Sequence, residues 1–388
     1  MSETRLIRSG HSPAFLAEHG TPRRLPRAAR KARPPGFFER FEDRALVYDC
    51  FRHADGARIL MVGPPPMNLM PQFRAARFVA LPSRTPLRAA YHPSLSTMIT
   101  ELTGAPAGTP AVAMSLAGEE FVLPVQPNHS ADLAGRRVLF TMSKDNELGW
   151  IAEWARWHAA LHGTDAIVLF DNGSTRYGVE EIEQTLLGVE GIGKVVVRSW
   201  PYRYGMTDPA LFKDPFYILF LQVSSMSVAL RRYAARAYGL LNCDVDELAS
   251  TPPGTTIFDL AKTSSQGLVV MRGRYMEPVA DADAPAAGRT HRHFLRSFRD
   301  SKRAASRPKK WALDPRRSWV GSLDVHPYMH WIKGRPWFSK STPEGIYYRH
   351  FRGINTNWKD SRTEAGDLRA EDLMEDADFR ALVARNAF

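Results

Sequence analysis

Three carboxylates close together give the strongest chemical signal in this chain: Asp244, Asp246 and Glu247, at the end of the run Leu240-Leu241-Asn242-Cys243-Asp244-Val245-Asp246-Glu247. The run reads as a buried apolar strand that stops abruptly in acids. On an extended strand, Asp244 and Asp246 are two apart and point the same way. Like charges so placed repel unless a cation sits between them. A hard divalent ion such as Mg²⁺ or Mn²⁺ accepts oxygen ligands and bridges to phosphate. The expectation is a D-x-D metal site that holds a nucleotide diphosphate. A triplet this short is also what a solvated acidic loop looks like, so its surroundings must decide.

The totals narrow the field. At 388 residues the chain is too long for one ordinary core, so two units are expected. A hydrophobic content of 44% with 24% charged residues is that of a globular protein. The net charge of +11, with a pI near 9.7, favours phosphorylated ligands, polyanions or anionic lipid surfaces. Cys50 and Cys243 match no zinc spacing and argue against a disulfide framework. Cys243 reads as a packed strand residue rather than a thiol nucleophile. Met1 to Ala17 lacks the apolar segment of a secretory leader, and no run is long enough to span a bilayer. A cytoplasmic protein is expected, with peripheral contact at an anionic inner membrane face as an option.

The elements that must position the acids follow from periodicity. Residues 1–36 are basic and rich in proline and alanine, the pattern of a poorly ordered arm. Residues 37–133 alternate short apolar runs with turns, for example 45–51 and 58–62 around Ala54-Asp55-Gly56, and predict a small β-rich sandwich or partial barrel. From Arg137 the period changes. Strands are expected at 137–142, 166–170, 194–198 and 240–243, with helices at 147–162, 179–187 and 214–238 between them. Continuously apolar strands alternating with helices predict an α/β fold: a Rossmann-type parallel sheet with helices on both faces. A further strand is expected at 267–272, and a surface helix within the tail 363–388.

Open α/β sheets bind ligands outside the carboxyl ends of their strands. Three strand ends here are polar: Ser143-Lys144-Asp145-Asn146-Glu147, Asp171-Asn172-Gly173-Ser174, and the acidic motif. The first also opens a helix, whose N-terminus suits a phosphate. Asp171 either accepts from ribose hydroxyls or a base N–H, or caps its own turn. Neither G-x-G-x-x-G nor a Walker A loop is present.

The combination of Met142–Glu147, Glu153-Trp154, His158, Gly163, Phe170–Ser174, Asp244-Val245-Asp246-Glu247, Tyr347–Arg352 and Asn355–Lys359 resembles the family 2-like bacterial glycosyltransferases of the GT-A fold, over about Arg137 to Arg362. The resemblance implies a GT-A-like domain at 134–362. It also implies metal-dependent transfer of a sugar from a nucleotide-sugar donor to a glycan or lipid-linked glycan acceptor, as in surface or capsular polysaccharide synthesis. Carried over, Asp246 and Asp244 would hold Mn²⁺ or Mg²⁺, Asp244 sharing itself with ribose, while Asp171 would touch the nucleoside. Lys144, Asn146, Glu147 and Ser174 complete the expected donor-binding set. Such enzymes often add a histidine ligand. His326, which ends a short apolar run, is preferred for it, while His350, flanked by Arg349 and Arg352, would face the diphosphate.

An inverting transfer needs a carboxylate base; Glu247 and Glu277 are the candidates. Trp311, Trp319, Trp331, Trp337 and Trp358 offer stacking faces for sugars, with most expected in the core. The basic run containing Arg303, Lys309 and Lys310 reads as solvated charge or as a loop over the donor. Rival readings are another nucleotide-handling enzyme such as a nucleotidyltransferase, or a basic nucleic-acid-binding protein. The second of these gives no account of the acidic strand end.

Overall fold

The computed structural model describes residues 5–20, 22–28, 32–33, 35–205, 219–281, 283–337, 344–356 and 368–385. Its centre is an eight-stranded mixed sheet in the order Lys194–Ser199, Ala166–Asp171, Arg137–Ser143, Gly239–Asn242, Ala305–Leu313, Leu268–Met276, Tyr347–Phe351 and Glu247–Ser250. The first four strands are parallel. Val-, Ile- and Leu-rich runs form them because both faces are covered: every residue of Ala166–Asp171 is buried. The second half is mainly antiparallel, with one parallel pair between Leu268–Met276 and Tyr347–Phe351. The fold is therefore α/β with a mixed sheet rather than a wholly parallel one.

Helices fill the crossovers. Leu148–His162 ends at Gly163 in the left-handed conformation (φ 63°), a helix stop that costs glycine little. Phe220–Val228 continues as a π-helical turn, Ala229–Tyr233, so this helix ends before the expected Tyr238; its expected start, 214–218, lies outside the described residues. Gly239 opens its strand with almost no space beside it. An added Cβ would lie 2.6 Å from Phe258 of the helix Ile257–Thr263.

Two four-stranded sheets make the N-terminal sandwich. One runs Asp49–Arg52, Ile59–Gly63, Met98–Thr103, Arg88–Pro93; the other runs Glu119–Pro124, Ala111–Leu116, Arg77–Leu81, Thr85–Pro86. They share a core that includes Cys50, Met61, Phe78 and Met114. The pair Arg88–Pro93 and Met98–Thr103 was not expected from sequence; the former is half-exposed, so it lacks an apolar run.

The basic segment 1–36 is a correction to the expected loose arm. Over its described residues it is packed. Ile7 donates to the Val195 carbonyl at 2.9 Å, Arg8 pairs with Glu183 at 2.7 Å, and Ala14–Phe15 pairs with Ala45–Val47. Buried Arg24 spends its guanidinium on the Pro65, Glu42 and Ala45 carbonyls. Its positive charge thus serves as a cross-brace rather than a tether. Over its described residues the tail supplies one short strand, Leu373–Glu375, and the helix Ala377–Arg385, anchored by buried Phe379. Among the described residues, no helix is long and apolar enough to cross a membrane.

His158 and His162, one helical turn apart, fix the strand Glu247–Ser250 that follows the acidic motif. His158 donates from Nδ1 to Trp154 O (2.8 Å) and accepts from the Ala249 N–H (3.2 Å). His162 donates from Nε2 to Ala249 O (3.0 Å) and accepts from the Ile257 N–H (3.4 Å). Each ring needs one bare nitrogen, so each is neutral. Burial holds His158 well below its ordinary value, lowers His162 to about 4 and lowers His326 to about 3. The unfolded chain binds these protons near pH 6.5. Stability is thus full above 6.5 and falls as pH drops from there toward 4 and 3. The slope reaches about 1.4 kcal/mol per pH unit for each histidine. Urea midpoints taken from about pH 7.5 to pH 5 should therefore decline steadily; a flat profile would rule out neutral burial.

Candidate functional site

Parallel register brings the three polar strand ends to one edge of the sheet. Ser143 lies level with Asp171, and Phe140 with Asn242. The first two clusters bind each other. Lys144 Nζ donates to the Asn172 and Gly173 carbonyls (3.1 and 2.7 Å). Ser174 Oγ accepts from the Asp145 N–H (2.8 Å) and donates to Asp171, whose other oxygen takes the Ser174 N–H. Asp171 therefore caps its own turn. The Asn146 amide donates to Ser143 Oγ at 2.9 Å. Lys144 and Asn146 line the cavity at this edge, whereas Glu147, Asp171 and Ser174 do not.

The acidic motif differs from the extended D-x-D that the sequence suggested. The strand ends at Asn242, and Asp244 to Glu247 form a turn closed by the Glu247 N–H on Asp244 O (3.0 Å). The Glu247 side chain reinforces it, accepting from the Asp244 N–H at 2.9 Å. Buried His291 donates to Val245 O at 2.8 Å, and the Phe351 N–H donates to Asp246 O at 2.9 Å. The chain then reverses into Glu247–Ser250, at the far edge of the sheet. The turn sends the two aspartates to different partners.

Asp244 and Glu247 share Lys310, whose Nζ lies 2.7 and 2.9 Å from their carboxylates. The Lys310 side chain has no exposed surface. Burial opposes its charge, but the two carboxylates more than offset that and hold the ammonium ionised well above its ordinary range. Burial also pushes the Glu247 carboxyl upward, with Lys310 pulling it back. Reading Lys310 as solvated charge is thus corrected. It lies on the strand Ala305–Leu313, where Ser306 and Lys310 turn inward while Ala305, Arg307 and Lys309 stay exposed. Arg303 is not a lid over the site either; it pairs with Asp372 at 3.0 Å and covers the Phe298 ring.

Asp246 sits beside His350 instead, Oδ2 to Nε2 at 3.1 Å. The antiparallel pairing of Glu247 with His350 sets this contact, and the Tyr275 ring (centroids 5.1 Å apart) backs the imidazole. Ligating atoms of Asp246, Glu247 and His350 lie within 4.8 Å of one another, a group that could hold a divalent ion. The histidine at the acids is therefore His350, and His326 is not brought there. His326 is buried in the short hairpin His326–Pro327/Ile332–Lys333, with Lys333, Arg231, Asp324 and His92 as its titratable neighbours.

Glu277 also stands apart from the cavity lining. It is buried and pairs with Arg352 at 3.2 Å, while Arg352 lies over Tyr275. Burial raises its carboxyl.

The cavity holds about 320 Å³, and Tyr204, Gln222, Met329 and His330 line it together with the acids. Asn242 Nδ2 donates to Met329 O, docking the hairpin tip at the rim. Trp331, at that tip, is 40% exposed and stacks on Tyr328. Trp311 is core, Trp319 is partly buried and Trp337 is exposed; Trp358 lies outside the described residues. Cys243 is buried, and its thiol is raised by burial. No family model matches this chain, and neither does any curated protein.

Proposed function

We propose that this chain is a metal-dependent glycosyltransferase with a GT-A-like domain, moving a sugar from a nucleotide-sugar donor to an acceptor glycan. One observation carries the reading: Asp246 and His350 lie 3.1 Å apart in the lining of a cavity on the carboxyl edge of a parallel half-sheet. That edge is a topological switch point. The chain runs outward from Arg137–Ser143 through two strands, then returns to its other side at Gly239–Asn242, and the crevice between is where open α/β sheets take nucleotides.

The residues fit a divalent ion. Adjacent ligands of one ion lie about 3 Å apart, as Asp246 and His350 do. A mixed carboxylate and imidazole set suits Mn²⁺ better than all-oxygen Mg²⁺. Lys310 meets the carboxylates of Asp244 and Glu247, and the reading assigns Asp246 and His350 as the ligands of the cation. When bound, that cation would offset the charge developing on the diphosphate leaving group. His330 and Tyr204 then line the space for nucleotide and sugar.

The test is a panel of nucleotide sugars with Mn²⁺ or Mg²⁺, read by donor hydrolysis and thermal stabilisation. Stabilisation by the correct donor should need the ion. Asp246→Ala should abolish that dependence and lower turnover by about 10²–10³. No response to any donor, with Asp246→Ala behaving as wild type, would sink the reading.

A further inference from the structure

The helix Phe220–Val228 is buried along all of its residues, yet it carries an amide, Gln222. Two of its serines turn to protein. Ser224 Oγ meets Thr97 Oγ1 at 2.9 Å and the Gly63 carbonyl at 3.3 Å, and Ser225 Oγ donates to Gln222 O at 2.8 Å. The Gln222 side chain instead lines the cavity at the acidic turn, and the residue is 6% exposed.

One end of this amide is fixed. Tyr204 Oη lies 2.7 Å from Gln222 Oε1, the spacing of an O–H···O bond rather than of N–H···O. Burial, reinforced by the charge of Asp244, raises the phenol, so it stays protonated and donates. The segment leading to Tyr204 is held by Asn172, whose Nδ2 donates to the Trp200 and Tyr202 carbonyls (2.8 and 2.9 Å). The other end is open. Gln222 Nε2 makes no hydrogen bond with any described residue and is not sealed from solvent. Water satisfies such a donor. A ligand that displaces the water without offering an acceptor leaves it unpaired, which is how a fixed donor selects. The charges that act on the Tyr204 phenol are those of Asp244 and Lys310. The amide beside it therefore stands near the acidic turn, where the reading above puts the diphosphate and the sugar attached to it.

We propose that Gln222 is a specificity-determining residue of this site: its Nε2 donates to an uncharged oxygen, hydroxyl or carbonyl, of the sugar being transferred. Tyr204 is the positioning residue that keeps the donor end of the amide facing the ligand. The inference rests on the glycosyltransferase reading.

Calorimetric titration of the full chain with Mn²⁺ present tests it, with nucleotide sugars in one arm and the matching nucleoside diphosphate in the other. Gln222→Met should bind the sugar donor about tenfold more weakly, with the affinity for the nucleoside diphosphate unchanged. That unchanged arm also shows that the variant is folded and its site intact. Tyr204→Phe, which removes only a hydroxyl, should weaken the same arm alone, and should add no further loss to Gln222→Met, because its effect passes through the amide. Sugar-donor binding by Gln222→Met equal to that of wild type, or a loss shared by both arms, would overturn the inference and leave the glycosyltransferase reading standing. Failure of the wild-type chain to bind either ligand would overturn both.

Discussion

Replacing Lys310 by methionine is expected to cost about 3–5 kcal/mol of folding stability, because it leaves a buried carboxylate without its counter-ion. Methionine keeps most of the volume, so the loss is electrostatic. Glu247 is the residue most affected: its side chain is 2% exposed, whereas that of Asp244 is 34% exposed and keeps access to water. The double variant Lys310→Met/Glu247→Gln should recover most of the loss, since removing both charges leaves nothing unpaired. Urea unfolding of the three chains decides it. A single variant within about 1 kcal/mol of wild type, or a double variant no better than the single, would mean that Lys310 does not hold the turn together. If the chain binds a nucleotide-sugar donor through a metal as proposed, the same substitution should weaken that binding, since Asp246 is placed by that turn.

Arg232→Met should be comparably damaging, at about 3–5 kcal/mol. Arg232 and Asp49 both have fully buried side chains and meet at 2.6 Å. The guanidinium also donates to the Gly10 and Pro127 carbonyls and to Ser9 Oγ. It therefore joins the N-terminal segment, the sandwich and the helical layer of the large sheet at one point. Without it, Asp49 keeps only the Ser12 and Cys50 N–H groups, both on Oδ1. Pairing Arg232→Met with Asp49→Asn should restore part of the stability. Calorimetry of the single variant should also show the two sheets unfolding less cooperatively, as a broadened or split transition.

The parallel half of the sheet was legible because its strands are buried on both faces, and such burial writes itself as unbroken runs like Ala166–Phe170. The convergence of three polar strand ends follows from parallel register alone. What happens after the strand ends was not legible. Asp244 and Asp246 look like neighbours on an extended chain, but a turn held by Glu247 separates them. Nothing in four residues says which partner each will meet. Lys310 was hidden by its company: Lys309 and Arg307 are exposed, and only the two-residue alternation of a strand distinguishes the inward positions. Choosing between His326 and His350 depended on which strand pairs with Glu247–Ser250, a contact between residues about a hundred positions apart in sequence. Local apolar character favoured the wrong one for proximity to the acids. The N-terminal arm was misread for a similar reason, since an arginine bound to carbonyls has the same composition as one in water.

That N-terminal segment also bears on how the protein is made. Residues 5–9 find their partners at Glu183, Val195, Arg198 and Tyr233. A ribosome adds about 5–20 residues per second, so residues 5–9 wait on the order of 10–40 s for the strand they will pair with. The sandwich hairpins can form in that interval, but Ile7 stays uncovered until Lys194–Ser199 has emerged. Synthesis therefore runs ahead of closure, and the two parts become one body only after the large sheet has begun to assemble.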